Sequence, residues 1–369
     1  MRQGVAAEQP EKQPVILSHP WSRRGFAGSL LGLAACQNPI DRLPDPTGQA
    51  TGDMAALLRA YAALGPKPVE TLSAAEARRQ PGMADAVQAL QRQRGMPVTP
   101  RPVPMVQDIQ VQGAAGPLPA RVYGERVAGG AAPMILYFHG GGWVIADLDT
   151  YDASARALAA ETGAIVVSVQ YRQGPEHRFP AAHEDAVAAY QWLVANSRRL
   201  GGDPNRIAVA GESAGGNLAL TVGMALRASP EARPAHLLLI YPVADTDTAT
   251  PSMREQENAK PLSRAAVLWF VQNYTRGPSD LQDPRMDVGR VAPLAGLPRC
   301  TVILAGIDPL RTGGERLVGK LRAAGVATEA RSFPGATHEF FGAAPVLQDA
   351  VVAQSFAGQR LREVFAGRA

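Results

Sequence analysis

The sequence predicts an α/β fold in which a mostly parallel central sheet is covered by helices on both faces. Short apolar runs recur after residue 133: MILYFHG, AIVVSVQYR, RIAVAGES, HLLLIYP and CTVILAGID, each with glycine or proline near its end. Helical stretches lie between them: SARALAAETG, AHEDAVAAYQWLVANSRRLG, NLALTVGMALRAS and GERLVGKLRAAG. Fully apolar strands alternating with helices are the pattern of a parallel sheet buried on both sides.

Bulk properties agree with a soluble globular chain. Of 369 residues, 46% are hydrophobic and 19% charged, enough to build a large core. The formal net charge is +4, and the first 35 residues hold part of it: Arg2, Lys12, Arg23 and Arg24 against Glu8 and Glu11. No basic cluster follows, so a nucleic-acid partner is not expected. No apolar run is long enough to span a bilayer.

The N-terminus reads as a targeting segment. Ser22-Arg23-Arg24-Gly25-Phe26 resembles a twin-arginine export signal, and Leu33-Ala34-Ala35-Cys36 a lipobox whose cysteine is acylated. Residues 1–36 are therefore expected to direct export and membrane anchoring through Cys36, placing the protein in the periplasm or on the membrane. A disordered leader on a cytoplasmic chain is the alternative. With Cys36 lipidated, Cys300 is alone at the head of TVILAG, a small buried residue, and no structural disulfide is expected. Residues 37–52, rich in proline and turn formers, read as a linker.

Residues 53–95 are helical in pattern, with Ser73 and Glu76 spaced as a capping box. VQDIQVQG and LPARVYGE then read as strands. Residues 245–290 interrupt the strand–helix rhythm with a helix, LSRAAVLWFVQNY, and no good strand. An inserted helix with an apolar side is either a lid over a site or a helix packed on the core surface.

The chemistry centres on Gly211-Glu212-Ser213-Ala214-Gly215. G-x-S-x-G between a strand and a helix puts a serine hydroxyl on a strained turn at the sheet's C-terminal edge, at the positive end of a helix. A glycine-rich phosphate-binding turn is the competing reading of the pentapeptide alone. A serine needs a base to become a nucleophile, so a histidine, an acid and an oxyanion hole are required. His139-Gly140-Gly141-Gly142-Trp143 ends the first strongly apolar strand. Glycines there expose backbone N–H groups to a cavity, which assigns the oxyanion donors to Gly141, Gly142 and Ala214 and leaves His139 to position the loop. A nucleotide phosphate loop is disfavoured, because no lysine follows at P-loop spacing. Asp308 follows the strand VILAGI, and His338 is expected in a loop before the last helix. Ser213, Asp308 and His338 thus appear in the chain order nucleophile, acid, base. Asp245 and Asp247 are not excluded by order, though their place at the start of the insertion suits hinge residues. His177, His183 and His236 are taken as structural.

HGGGW, YRQGPEHRFPAAHEDA, GESAGGN, DPLR and the late histidine together resemble the bacterial hormone-sensitive-lipase-like esterases of the α/β-hydrolase superfamily, over roughly residues 50–369. The resemblance implies the α/β-hydrolase fold with a helical cap made of 53–100 and 245–290 over a catalytic domain of 101–244 and 291–369. It makes Tyr171, Arg172, Pro175, Glu176 and Asp185 a structural motif, and it implies hydrolysis of short- to medium-chain acyl esters through an acyl-enzyme on Ser213. Trp143, Trp269 and Phe270 are the expected pocket walls. No metal and no organic cofactor are expected, and a homodimer through an edge strand is known among such relatives. Amide, carbamate or sugar-acetyl substrates are alternatives, as is a non-catalytic ligand-binding role, which the presence of His338 disfavours. The chain departs from the family pattern at Glu212 (usually Asp), in TGG after DPLR (usually an acidic pair), in HEFF (usually H-G-F) and in YRQGPE (usually YRLAPE).

Overall fold

The computed structural model describes Met1 and residues 49–125, 132–229, 232–290 and 292–367. The chain divides into two units, Met1–Gln37 and Asn38–Ala369, and every element below belongs to the second. The export motif, the lipobox with Cys36 and most of the linker lie outside the described residues.

Eight strands form one sheet: β1 Val106–Gly113, β2 Gly116–Tyr123, β3 Ala132–Phe138, β4 Ile165–Val169, β5 Gly202–Glu212, β6 His236–Ile240, β7 Cys300–Ile307 and β8 Thr328–Thr337. Their order is β1-β2-β4-β3-β5-β6-β7-β8. β2 pairs antiparallel with β1 and β4, and the remaining pairings are parallel. The helices are α1 Gly52–Ala63, α2 Ala74–Ala77, α3 Met83–Gln93, α4 Asp152–Thr162, α5 Ala181–Asn196, α6 Ala214–Leu226, α7 Pro251–Glu255, α8 Arg264–Tyr274, α9 Arg311–Ala323 and α10 Gln348–Phe365.

Alternate residues of each inner strand feed two separate cores. Met134, Leu136 and Phe138 of β3 join Val209 of β5 and Leu218 of α6 on one face. Ile135 and Tyr137 join Ala210 of β5 and Leu158 of α4 on the other. Successive side chains of a strand point to opposite faces, so both sets must be apolar when helices cover both sides.

His338 lies, as expected, in a turn before the last helix, and two features go beyond the sequence expectations. β8 is not marked in the sequence: Glu329, Ala330, Arg331 and Ser332 in its first half are exposed, so it carries neither an apolar run nor a clear alternation. His338 consequently follows a strand directly. The segment 53–100 also does more than cap. Met54, Leu57 and Leu58 of α1 and Leu90 of α3 are buried in the core shared with α4 and α10. Residues 66–80 between those helices reach toward the site. Pro81 separates α2 from α3, and the Ser73–Glu76 capping box forms at the start of α2.

Asp185 ties three segments together. Its carboxylate is fully buried and accepts from the Arg172 backbone N–H (3.0 Å), the Arg172 Nε (2.8 Å) and Nη2 (3.0 Å), and the Ala114 N–H (3.0 Å). The hairpin β1–β2, the loop after β4 and α5 meet there. Removing the acceptor strands several donors, and the guanidinium is partly exposed, which softens the penalty. Asp185→Ala is expected to lower unfolding free energy by about 3 kcal/mol, read as a lower midpoint in urea with unchanged slope.

Candidate active site

Ser213 sits where β5 passes into α6, with φ 56° and ψ −117°. A non-glycine residue in this region is strained, and the surroundings must hold it there. A Cβ on Gly211 would lie 2.2 Å from the Gly215 carbonyl oxygen, and one on Gly215 2.0 Å from that of Phe138. Both glycines of the pentapeptide are therefore dictated by close backbone approach. The turn is pinned on both sides: the Ser213 N–H donates to the Ile240 carbonyl (2.9 Å), and the Ser213 carbonyl accepts from the Val243 N–H (3.0 Å) and the Asn217 N–H (3.2 Å).

The structure brings the three predicted side chains together. His338 Nε2 lies 2.8 Å from Ser213 Oγ, and His338 Nδ1 lies 2.7 Å from Asp308 Oδ2. All three are buried. Asp308 follows β7, and its other oxygen accepts from the Leu310 N–H at 2.8 Å, which fixes the carboxylate plane. The network assigns the proton to Nδ1, donated to Asp308, leaving Nε2 to accept from the serine. Burial by itself pushes the His338 pKa down. The charge and hydrogen bond of Asp308 oppose it, with Glu339 and Glu212 adding smaller contributions, and the net is a pKa above the usual value.

Gly141 and Gly142 line the cavity that holds Ser213 and His338, with φ of 90° and 59°. Among the described residues their N–H groups donate to no other group. Ala214 opens α6, where first-turn amides lack intrahelical acceptors. The three expected oxyanion donors thus stand around one serine. A Cβ on Gly142 would strike the Phe270 ring at 2.3 Å, so Phe270 rests directly on this loop.

Arg78 locks the loop to the N-terminal segment. Its Nε donates to the Val144 carbonyl (2.8 Å), its Nη2 to the Gly174 carbonyl (2.7 Å), and it pairs with Glu176 (2.6 Å). His139 is buried, stacks on Tyr171 with ring centroids 4.4 Å apart, and its Nδ1 donates to the Gly140 carbonyl; burial pulls its pKa to about 4. His183 lies between Tyr274 and Asn217, and His236 pairs with Thr301. Asp245 lines the same cavity as Ser213 and His338, but it and Asp247 pair with Arg316 at 3.1 and 3.3 Å, and the His338 ring nitrogens are taken by Asp308 and Ser213.

Of the expected pocket walls, Trp143 and Phe270 line the cavity beside Ser213. Trp269 does not. Its indole N–H donates to the Leu72 carbonyl at 3.0 Å, fastening α8 to the N-terminal segment, because adjacent helix residues face about 100° apart. Sequence reasoning also passed over Tyr241, whose ring packs 4.7 Å from the His338 ring, and the partners of Glu212. The Glu212 carboxylate is buried and accepts from the Tyr137 hydroxyl (2.6 Å) and the Tyr241 hydroxyl. The departures at Glu212 and at Glu339 were the available signals. Among the described residues no group of three His, Cys, Asp or Glu side chains is placed to hold a metal ion.

The raised His338 pKa sets the sign of the pH response. An imidazole that takes the serine proton must be neutral, so with His338 as the base activity is expected to fall as pH drops through the raised pKa. The acid limb of kcat/KM should therefore titrate above 6.5, the ordinary histidine value. Asp308→Asn removes the largest opposing charge and should cut kcat on the order of 10³–10⁴-fold, measured as a pH–rate profile beside the wild type.

A family model described as alpha/beta hydrolase fold matches residues 135–342, more than half of the chain. The chain is 40% identical to the esterase LipI of Mycobacterium tuberculosis over 289 residues, which covers 77% of this chain and 90% of LipI. It is 37% identical to an ethyl acetate hydrolase of Pseudomonas putida, covering 63% and 74%. Among solved structures, an esterase of Pyrobaculum calidifontis superposes with a TM-score of 0.73 at 35% identity, covering 81% of this chain and 95% of that one. A thermostable esterase of Pseudomonas putida gives 0.78 at 30% identity, covering 86% and 98%. With this sheet order, this strained serine and these relatives, the chain belongs to the α/β-hydrolase family, in its hormone-sensitive-lipase-like branch.

Proposed function

We propose that this carboxylic ester hydrolase cleaves short-chain acyl esters through an acyl-enzyme on Ser213. The observation that carries the reading is the continuous line of hydrogen bonds from Ser213 through His338 to Asp308, beside two glycine amides without other acceptors. Ser213 Oγ attacks the ester carbonyl while His338 Nε2 takes its proton. The oxyanion is held by the Gly141, Gly142 and Ala214 N–H groups, each such donor being worth on the order of 10²–10³ in turnover. His338 returns the proton to the departing alcohol. Water then repeats the sequence on the acyl-enzyme and releases the acid.

Cavity size supports the chain-length assignment. The space beside Ser213 is about 50 Å³, walled by Val243, Met253, Leu262, Val267, Phe270 and Leu310. At roughly 30 Å³ per water-sized group, that is fewer than two such groups, which favours the shortest acyl chains. The full-length protein, assayed on p-nitrophenyl esters from acetate to palmitate, should peak at the short end. Ser213→Ala should lose on the order of 10⁴-fold or more in kcat, and Phe270→Ala should move the optimum toward longer chains. A wild type with no turnover on any of these esters overturns the reading.

We also propose that the arginine pair and lipobox at 22–36 export the protein and anchor it through Cys36. Fractionating cells that express the wild type or Cys36→Ser should find the first with membranes and the second released. Equal recovery of both in the cytoplasm overturns this proposal.

A further inference from the structure

Glu339, the residue after His338, stands in a conformation that favours glycine, with φ 63°. A side chain in this left-handed region is strained, and strain of this kind clusters at functional sites. Three cavities meet at Glu339. One is the small space that holds Ser213. The second is a cleft of about 560 Å³, shared with Tyr61, Leu262 and Phe270. The third is a groove of about 660 Å³ that reaches Tyr151 and Glu212 from the far side. Among the described residues Glu339 makes one hydrogen bond, in which the Tyr151 hydroxyl donates to Oε1 at 3.2 Å. Its other oxygen has no protein donor. The side chain is half-buried, and burial pushes its pKa up against the opposing pull of His338 and Tyr151.

The chemistry of the triad locates the two halves of an ester. The departing oxygen must receive its proton from His338 Nε2, so the alcohol half lies on the histidine's side of Ser213. Glu339 follows His338 in the chain and lines both the small cavity that holds the histidine and the larger cleft, whose volume is roughly ten times greater. We propose that Glu339 selects the alcohol half of the substrate, its carboxylate accepting a hydrogen bond from a hydroxyl or ammonium group carried beyond the scissile oxygen. This rests on the esterase reading and adds the substrate class to it: esters of polar alcohols rather than of plain alkanols.

Glu339 also faces His338 together with Asp308, Glu212 and the Tyr241 ring. A purely electrostatic role through the imidazole changes the rate for every ester alike. A role in selection changes the ratio between esters that differ only in the donor, and the experiment uses that difference. The full-length wild type, Glu339→Gln and Glu339→Gly are compared by kcat/KM on ethylene glycol monobutyrate and propyl butyrate, which exchange a hydroxyl for a methyl at one position. Dimethylaminoethyl butyrate, protonated at neutral pH, supplies the ammonium arm. Glycine adopts φ 63° freely, so Glu339→Gly is expected to fold, with a melting temperature no lower than that of the wild type.

The wild type should prefer at least one donor-bearing ester to the propyl ester by roughly tenfold, the size of one hydrogen bond to a charged acceptor. Glu339→Gln should retain part of a hydroxyl preference and lose an ammonium preference. Glu339→Gly should bring the ratio close to one. A preference for only one of the two donors supports the proposal and names the donor. Equal ratios in wild type and Glu339→Gly, with all three esters turned over, overturn the proposal and leave the esterase reading standing. A wild type inactive on all three and on p-nitrophenyl esters overturns both.

Discussion

The backbone of Ser213 is the constraint on which the site depends. A residue at φ 56° and ψ −117° lies outside the regions an L-amino acid prefers, so the chain around it must supply what it cannot supply itself. Glycine at 211 and 215 removes the carbon atoms that would collide with neighbouring carbonyls. The Ile240 carbonyl and the Val243 N–H hold the turn from the next strand and its exit loop. That loop leads into the inserted segment of residues 245–290. One strained residue therefore ties the sheet to the inserted segment, and displacement of either is felt at the serine oxygen.

Electrostatics around His338 are a contest that the acids win. Desolvation favours the neutral imidazole, and His183, buried with no acid hydrogen-bonded to its ring, shows the result: it is drawn down to about 3. At His338 the hydrogen-bonded Asp308 reverses that outcome, with Glu339 and Glu212 adding in the same direction. Glu212 stays in place because tyrosine hydroxyls satisfy its oxygens, and one of those tyrosines walls the histidine ring. The carboxylate beside Ser213 thus reaches the His338 ring through Tyr241.

The cap is fastened by a few directional contacts. Trp269 reaches back to Leu72, and Arg78 spans the glycine loop and the turn at 174–176. Phe270 lies on Gly142 and lines both the small cavity beside Ser213 and the outer cleft. A small movement of α8 would therefore alter the oxyanion loop and both halves of the pocket together.

Local chemistry was legible in the sequence wherever a residue type has few uses. The glycine pattern around Ser213, the glycine run after β3, and the strand-end Asp308 with the late His338 needed no coordinates, because tight turns, exposed amides and proton relays each demand particular residues. The inner strands were equally plain, since burial on both faces leaves them mostly apolar. β8 was not, because its first half is exposed and carries no apolar run. Tertiary structure alone decided which aromatic faces the cavity. Trp269 and Phe270 are adjacent in the chain, yet the helix turns one toward Leu72 and the other over Gly142. It also decided that Glu212 and Glu339, 127 positions apart by their residue numbers, act on one imidazole. Sequence specifies which groups are present; charge and packing act through space, and only the fold sets those distances.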